Sequence, residues 1–161
     1  MKKLIVLFTI LFTVSSCKKE NFNILNLNNN KISVLGHGGM GIGQVYPINS
    51  FESILNCLNL GADGTELDVQ MTKDSVLVAF HDRSLEHSTN ISGQIFNKTW
   101  GEIKDITYKN PLYTNYKLLS LDELFTNIEN PTKYIFFFDC KNFNPDTSSA
   151  YLNTFNNALI K

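Results

Sequence analysis

The chain has 161 residues, with 14 Lys and Arg against 15 Asp and Glu, a formal net charge of −1 and a pI near 6.3. That balance offers no basic patch for nucleic acid, so a nucleic-acid partner is not expected. With 43% hydrophobic residues the composition is that of an ordinary globular chain.

At the N-terminus, Lys2 and Lys3 precede an apolar run over residues 4–14, and Ser15-Ser16-Cys17 closes it with small residues. This pattern is a signal peptide, too short for a spanning helix, so residues 1–16 stand outside the fold. Val14-Ser15-Ser16-Cys17 resembles a bacterial lipobox, which implies cleavage before Cys17 and lipidation of that cysteine. Several acyl chains on one residue anchor stably where a single chain does not. The expected location is therefore a membrane-anchored lipoprotein on the periplasmic or cell-surface side, with an ordinary signal peptide and an incidental cysteine as the alternative. Residues 17–31 are rich in asparagine and read as a flexible tether, leaving residues 32–161 as the folded domain. Cys57 and Cys140 fall in a predicted helix and a predicted strand, in apolar contexts that suit buried free thiols. A disulfide between them is the alternative in an oxidising compartment.

The domain opens with a predicted strand, Ile32-Ser33-Val34-Leu35, ending in Gly36-His37-Gly38-Gly39, where glycines permit close approach of a ligand. Asn49 or Ser50 caps a first helix with Phe51, Ile54, Leu55 and Leu58 at helical spacing and Gly61 as its stop. The next strand sets Glu66, Asp68 and Gln70 on one face and Leu67, Val69 and Met71 on the other. If Asp74-Ser75 is a two-residue turn, Asp68 opposes His81, Val69 opposes Phe80 and Gln70 opposes Ala79 on the returning strand. Two carboxylates with a histidine beside them are a metal-plus-general-base arrangement; a solvent-facing edge hairpin is the bland alternative. Thr99-Trp100-Gly101-Glu102 and Ser120-Leu121-Asp122-Glu123 are capping boxes that open two further helices. Tyr134-Ile135-Phe136-Phe137-Phe138 reads as a strand buried on both faces, ending in Asp139-Cys140-Lys141. A last helix follows Pro145. Alternation of strand and helix implies an α/β domain with a parallel sheet. Polar residues recur at its strand ends: His37, Asp68, His81, Asp139 and Lys141.

These residues resemble the glycerophosphodiester phosphodiesterases, a family with a TIM-barrel fold. Its His-Arg-Gly and Pro-Glu-Asn-Thr correspond to His37-Gly38-Gly39 and Pro47-Ile48-Asn49-Ser50. Its second motif set corresponds to Gly61-Ala62-Asp63, Glu66-Leu67-Asp68-Val69, Thr72-Lys73-Asp74-Ser75 and His81-Asp82. Leu119-Ser120-Leu121-Asp122-Glu123 and the stretch from Arg83 to Asn90 also match. The resemblance implies Glu66, Asp68 and Asp139 as metal ligands and His37 and His81 as the catalytic acid/base pair. Lys141, Gly38 and Gly39 are then the phosphate-binding residues. All-oxygen ligation suits a hard divalent cation, Mg²⁺ or Ca²⁺, that acidifies an attacking hydroxyl. The implied reaction hydrolyses a glycerophosphodiester to glycerol 3-phosphate and an alcohol. The oligomeric state is left open.

The chain departs from the family pattern at four points. Gly38 stands for the Arg, Ile48 for the Glu of Pro-Glu-Asn-Thr, and Asp139 for a Glu that is one methylene longer. The fourth is length, since a TIM barrel takes about 250 residues, whereas removing residues 1–16 from 161 leaves 145. About half a barrel is expected, whether as a fragment (the favoured reading), a half that pairs with another, or a smaller rearranged fold. Two functions follow: a metal-dependent phosphodiesterase, or a non-catalytic or truncated relative that binds phosphodiester or is a remnant.

Overall fold

The computed structural model describes residues 23–42 and 45–160; the expected signal peptide 1–16 and Cys17 lie outside the described residues. The asparagine-rich stretch is not featureless where it is described. Asn26 Oδ1 accepts from the N–H groups of Asn28 at 2.8 Å and Asn30 at 3.1 Å, and Asn29 takes a left-handed φ of 60°. Asparagine tolerates that conformation and its side chain closes turns on itself. The result is a hairpin of β1 (Ile24–Leu25) and β2 (Lys31–Ile32), a correction to the tether reading of the residues just before 32.

The strand predicted over 32–35 forms later and shorter, as β3 (Leu35–His37). α1 (Phe51–Leu60) begins and ends as its caps dictate. Ser50 accepts from the Ser53 N–H at 3.2 Å, and Gly61 closes the helix at φ 114°.

β4 (Gly64–Met71) is the centre of the sheet. On one flank it takes β3 in parallel and then, further along, the antiparallel strand β5 (Leu77–Ala79). The observed register puts Val69 opposite Ala79, Gln70 opposite Val78 and Met71 opposite Leu77. This corrects the expected pairing by one residue, so Asp68 accepts from the Phe80 N–H at 2.9 Å and does not oppose His81. The cause is the turn. Thr72 N–H donates to Val76 O at 2.9 Å and Ser75 adopts φ 66°, a loop of three residues with a left-handed third position.

The chain then leaves the parallel sheet for a local subdomain that includes α2 (Trp100–Ile103) and returns through β6 (Leu119–Ser120), antiparallel to β5. α3 (Leu121–Asn127) follows; both predicted capping boxes are made. β7 (Ile135–Cys140) runs parallel to β4 on its other flank, and α4 (Ser149–Ile160) covers the sheet from behind. Two apolar cores result. Ile54, Leu58, Leu67, Val69, Leu124 and Phe155 bind the helices to the sheet, and a second cluster around Val78, Leu85, Ile95 and Ile103 holds the subdomain.

β7 is not buried on both faces as its sequence suggested. Phe136 and Phe138 pack on the core, but Phe137 is 59% exposed and Ile135 45%. Among the described residues these two are left open on the face that they share with Glu66, while Asp68 and Gln70 further along it are buried. Cys57 is buried and Cys140 exposed, both as free thiols, so the expected burial holds for the first only. No helix among the described residues is long and apolar enough to cross a membrane.

Candidate active site

Parallel pairing places residues of equal register on one face, and this assembles the site. His37 aligns with Glu66, Glu66 with Phe137, and Asp68 with Asp139. Carboxylate oxygens of Glu66, Asp68 and Asp139 lie within 4.8 Å of one another. His37 Nε2 stands 4.0 Å from Glu66 Oε2. Lys141, two residues past Asp139 and so on the same face, reaches Asp139 Oδ2 at 2.7 Å and Asp68 Oδ1 at 3.1 Å. Three carboxylates so close repel one another. Burial, and then the charge of Asp68, push the Glu66 carboxyl above its ordinary value. The hydrogen bond that Lys141 donates to Asp139, joined by one to Asp68, holds its ammonium above its ordinary value. An all-oxygen set of this density fits a hard divalent cation.

Two supports were not legible as such in the sequence. Asn49, expected only as a helix cap, is buried and donates through Nδ2 to Asp68 Oδ2 at 2.8 Å, while its Oδ1 accepts from the Asp68 N–H at 3.2 Å. Its left-handed φ of 65° aims the amide at the strand; the Asn at the third position of Pro47-Ile48-Asn49-Ser50 was the available signal. Gln70, on the polar face of β4, donates to Phe80 O at 2.7 Å and Asp82 O at 2.9 Å, which fixes the backbone around His81.

The glycine loop is held as tightly. Gly38 N–H donates to Glu66 Oε2 at 3.1 Å and Gly39 N–H to Thr65 Oγ1 at 3.0 Å. Both glycines have left-handed φ, 53° and 88°. His81 is placed apart from the trio's ion pairs. Its Nδ1 lies 3.1 Å from Asp82 Oδ1, and Ser88 Oγ donates to the other Asp82 oxygen. Burial raises the Asp82 carboxyl, but the hydrogen bonds from Ser88 and His81 outweigh it and hold the group below its ordinary value. His81 and Asp82 line one end of a cavity of about 310 Å³ whose other walls include Ile42, Ile48, Phe80 and Tyr108.

A model of the Glycerophosphoryl diester phosphodiesterase family matches residues 40–145, about two thirds of the chain. The chain belongs to this family. The matched stretch takes in Glu66, Asp68, His81, Asp139 and Lys141 and stops short of His37, Gly38 and Gly39. A Bacillus altitudinis glycerophosphodiester phosphodiesterase is 44% identical over 59 residues, 37% of this chain and 24% of that protein. The structure of a glycerophosphoryl diester phosphodiesterase from Parabacteroides distasonis superposes with a TM-score of 0.57 at 36% identity, covering 78% of this chain and 44% of that one. An Oleispira antarctica phosphodiesterase, solved with the product sn-glycerol-3-phosphate, gives 0.65 at 22% identity, covering 80% and 50%. The chain therefore spans about half, or less, of the relatives it matches. Its fold is α/β of the TIM-barrel type of this family, present as about half a barrel.

Proposed function

We propose that this family member hydrolyses glycerophosphodiesters to glycerol 3-phosphate and an alcohol, with a divalent cation held by Glu66, Asp68 and Asp139. The observation that carries the reading is the convergence of those three carboxylates on one face of the paired parallel strands β4 and β7, with His37, the last residue of β3, beside Glu66. Barrels of this type place their chemistry at the C-terminal end of the strands. A Mg²⁺ or Ca²⁺ ion there supplies Lewis-acid polarisation of the phosphoryl oxygens. Asn49 keeps Asp68 oriented, and the Lys141 ammonium offsets charge on the phosphoryl group. His37 takes a proton from the attacking water, whose oxygen bonds to phosphorus as the P–O bond to the alcohol breaks. His81, whose Nδ1 is engaged by Asp82, offers Nε2 to the leaving alkoxide. The Gly38 and Gly39 backbone lies against the phosphate. The lipobox-like Val14-Ser15-Ser16-Cys17 is what supports a location outside the cytoplasm with a lipid tether on Cys17; membrane fractionation of wild type and Cys17→Ala checks that part.

The test is release of glycerol 3-phosphate from glycerophosphocholine by the full chain with Mg²⁺ or Ca²⁺ added. His37→Ala and His81→Ala are each expected to lower turnover about 10²- to 10⁴-fold. Equal turnover in all three proteins contradicts the mechanism. A second reading, a phosphodiester-binding relative without turnover, is favoured by one observation: Lys141 already neutralises two carboxylates of the trio. Cation-dependent binding of glycerophosphocholine with no released product in wild type selects that reading.

A further inference from the structure

We propose that Gly38 and Ile48 form a coupled pair that gives the site an apolar wall, and that the substrate it takes is a phosphodiester with an acyl or alkyl arm. The proposal rests on the phosphodiesterase reading and names its substrate class.

The coupling is steric. A Cβ built on Gly38 would fall inside van der Waals contact of Ile48 Cγ1, 2.8 Å from its Cδ1 and 3.3 Å from the Asn49 nitrogen. The backbone at position 38 has no freedom to retreat. Its N–H is fastened to Glu66, and its carbonyl accepts from Asn49 N–H at 2.9 Å and Ser53 Oγ at 3.1 Å. Ile48 therefore occupies the space that a side chain at 38 would need, and the polar reach of any such side chain is exchanged for a branched aliphatic surface.

That surface continues outward. Ile48 is shared by two cavities of about 310 and 360 Å³ that also share Ser88 and Tyr108. Both volumes are of ligand size, with apolar walls and a few polar groups. His81 and Asp82 line the first together with Ile48, so an arm on the leaving oxygen that His81 serves has Ile48 among its walls. On the loop before it, Ile42 is 72% and Val45 70% exposed. Large aliphatic residues on a loop beside a cavity mouth suit a hydrocarbon arm better than a small polar alcohol.

The experiment measures calorimetric binding of two soluble probes to the full chain with Ca²⁺: glycerophosphoethanol, and the hexyl ester that carries hexanol in place of ethanol as its leaving alcohol, below its micellar concentration. Wild type is expected to bind the hexyl ester about tenfold tighter, as partial burial of a short alkyl chain gives. Ile48→Glu removes the preference, read as the ratio of the two affinities. Ile48→Ala, the milder change in case the first does not fold, reduces it. Gly38→Arg lowers the melting temperature, and Gly38→Arg with Ile48→Ala recovers part of the loss. Equal affinity for the two probes in wild type overturns the proposal and leaves the phosphodiesterase reading standing. A preference unaltered by either Ile48 variant also overturns it. Failure of both probes to bind overturns the proposal and that reading together.

Discussion

Buried Asn49 makes both of its side-chain hydrogen bonds to Asp68, from a backbone with φ 65°. Hydrogen bonds to a charged group contribute about 1.5–3 kcal/mol, and a left-handed alanine costs about a further 1–2 kcal/mol. Urea unfolding is thus expected to show Asn49→Ala losing about 3 kcal/mol, with Asn49→Gly losing less because glycine accepts the φ. Both variants should weaken cation affinity about 10- to 100-fold, the usual effect of removing a group that orients a metal ligand. Asp82 carries a pH prediction. Its folded-state carboxyl is held below the ordinary value, so its contribution to stability is complete above the unfolded aspartate pKa of about 3.9 and lost as pH falls through the lower, folded one. Asp82→Asn should therefore be less stable than wild type at pH 7, and the melting-temperature gap should close on acidification. The Asn49 role was hard to read from the chain because its partner lies 19 residues further on. Glu66, Asp68, His81 and Asp139 stood out by spacing and neighbours, whereas Asn49, Gln70 and Asp82 acquire meaning only from what they touch.

At the scale of elements, locally encoded features were legible and long-range ones were not. Ser50, Gly61 and the two capping boxes announce helix ends within a few residues, and all are found. The β4–β5 register turned on one residue of loop length, which alternation of apolar and polar side chains did not settle. Gln70 and Asp68 are buried despite their polarity, so neither face of β4 is a solvent face. The burden of that loop falls on Ser75, left-handed at φ 66°, a conformation that glycine takes without strain. Relief of about 1–2 kcal/mol of backbone strain, less the entropy glycine loses on folding, leaves a net gain near ~0.5 kcal/mol for Ser75→Gly. The melting temperature should rise by about 1–2 °C; a fall would mean the Ser75 side chain supports the turn.

Over the whole molecule, half a barrel was inferred from length and motif order, and the match to about half of each solved relative agrees with it. Half a barrel implies an uncovered inner face, and β7 leaves Ile135 and Phe137 uncovered on the face that carries the acidic trio, although its own residues read as buried on both faces. An all-apolar run looks buried whether or not something is there to bury it. An open apolar face invites self-association, so Phe137→Thr is expected to reduce it in sedimentation velocity at little cost in stability. The acidic trio is the claim on which the functional account stands, and a thermal melt of the full chain at pH 7 with and without Ca²⁺ tests it most directly. At a cation concentration about 100-fold above the dissociation constant, wild type should gain about 2.7 kcal/mol. Glu66→Gln, relieved of its share of the repulsion, should melt higher than wild type without cation and respond little to it. Identical melts of wild type with and without Ca²⁺, or an equal rise in both proteins, would contradict the account.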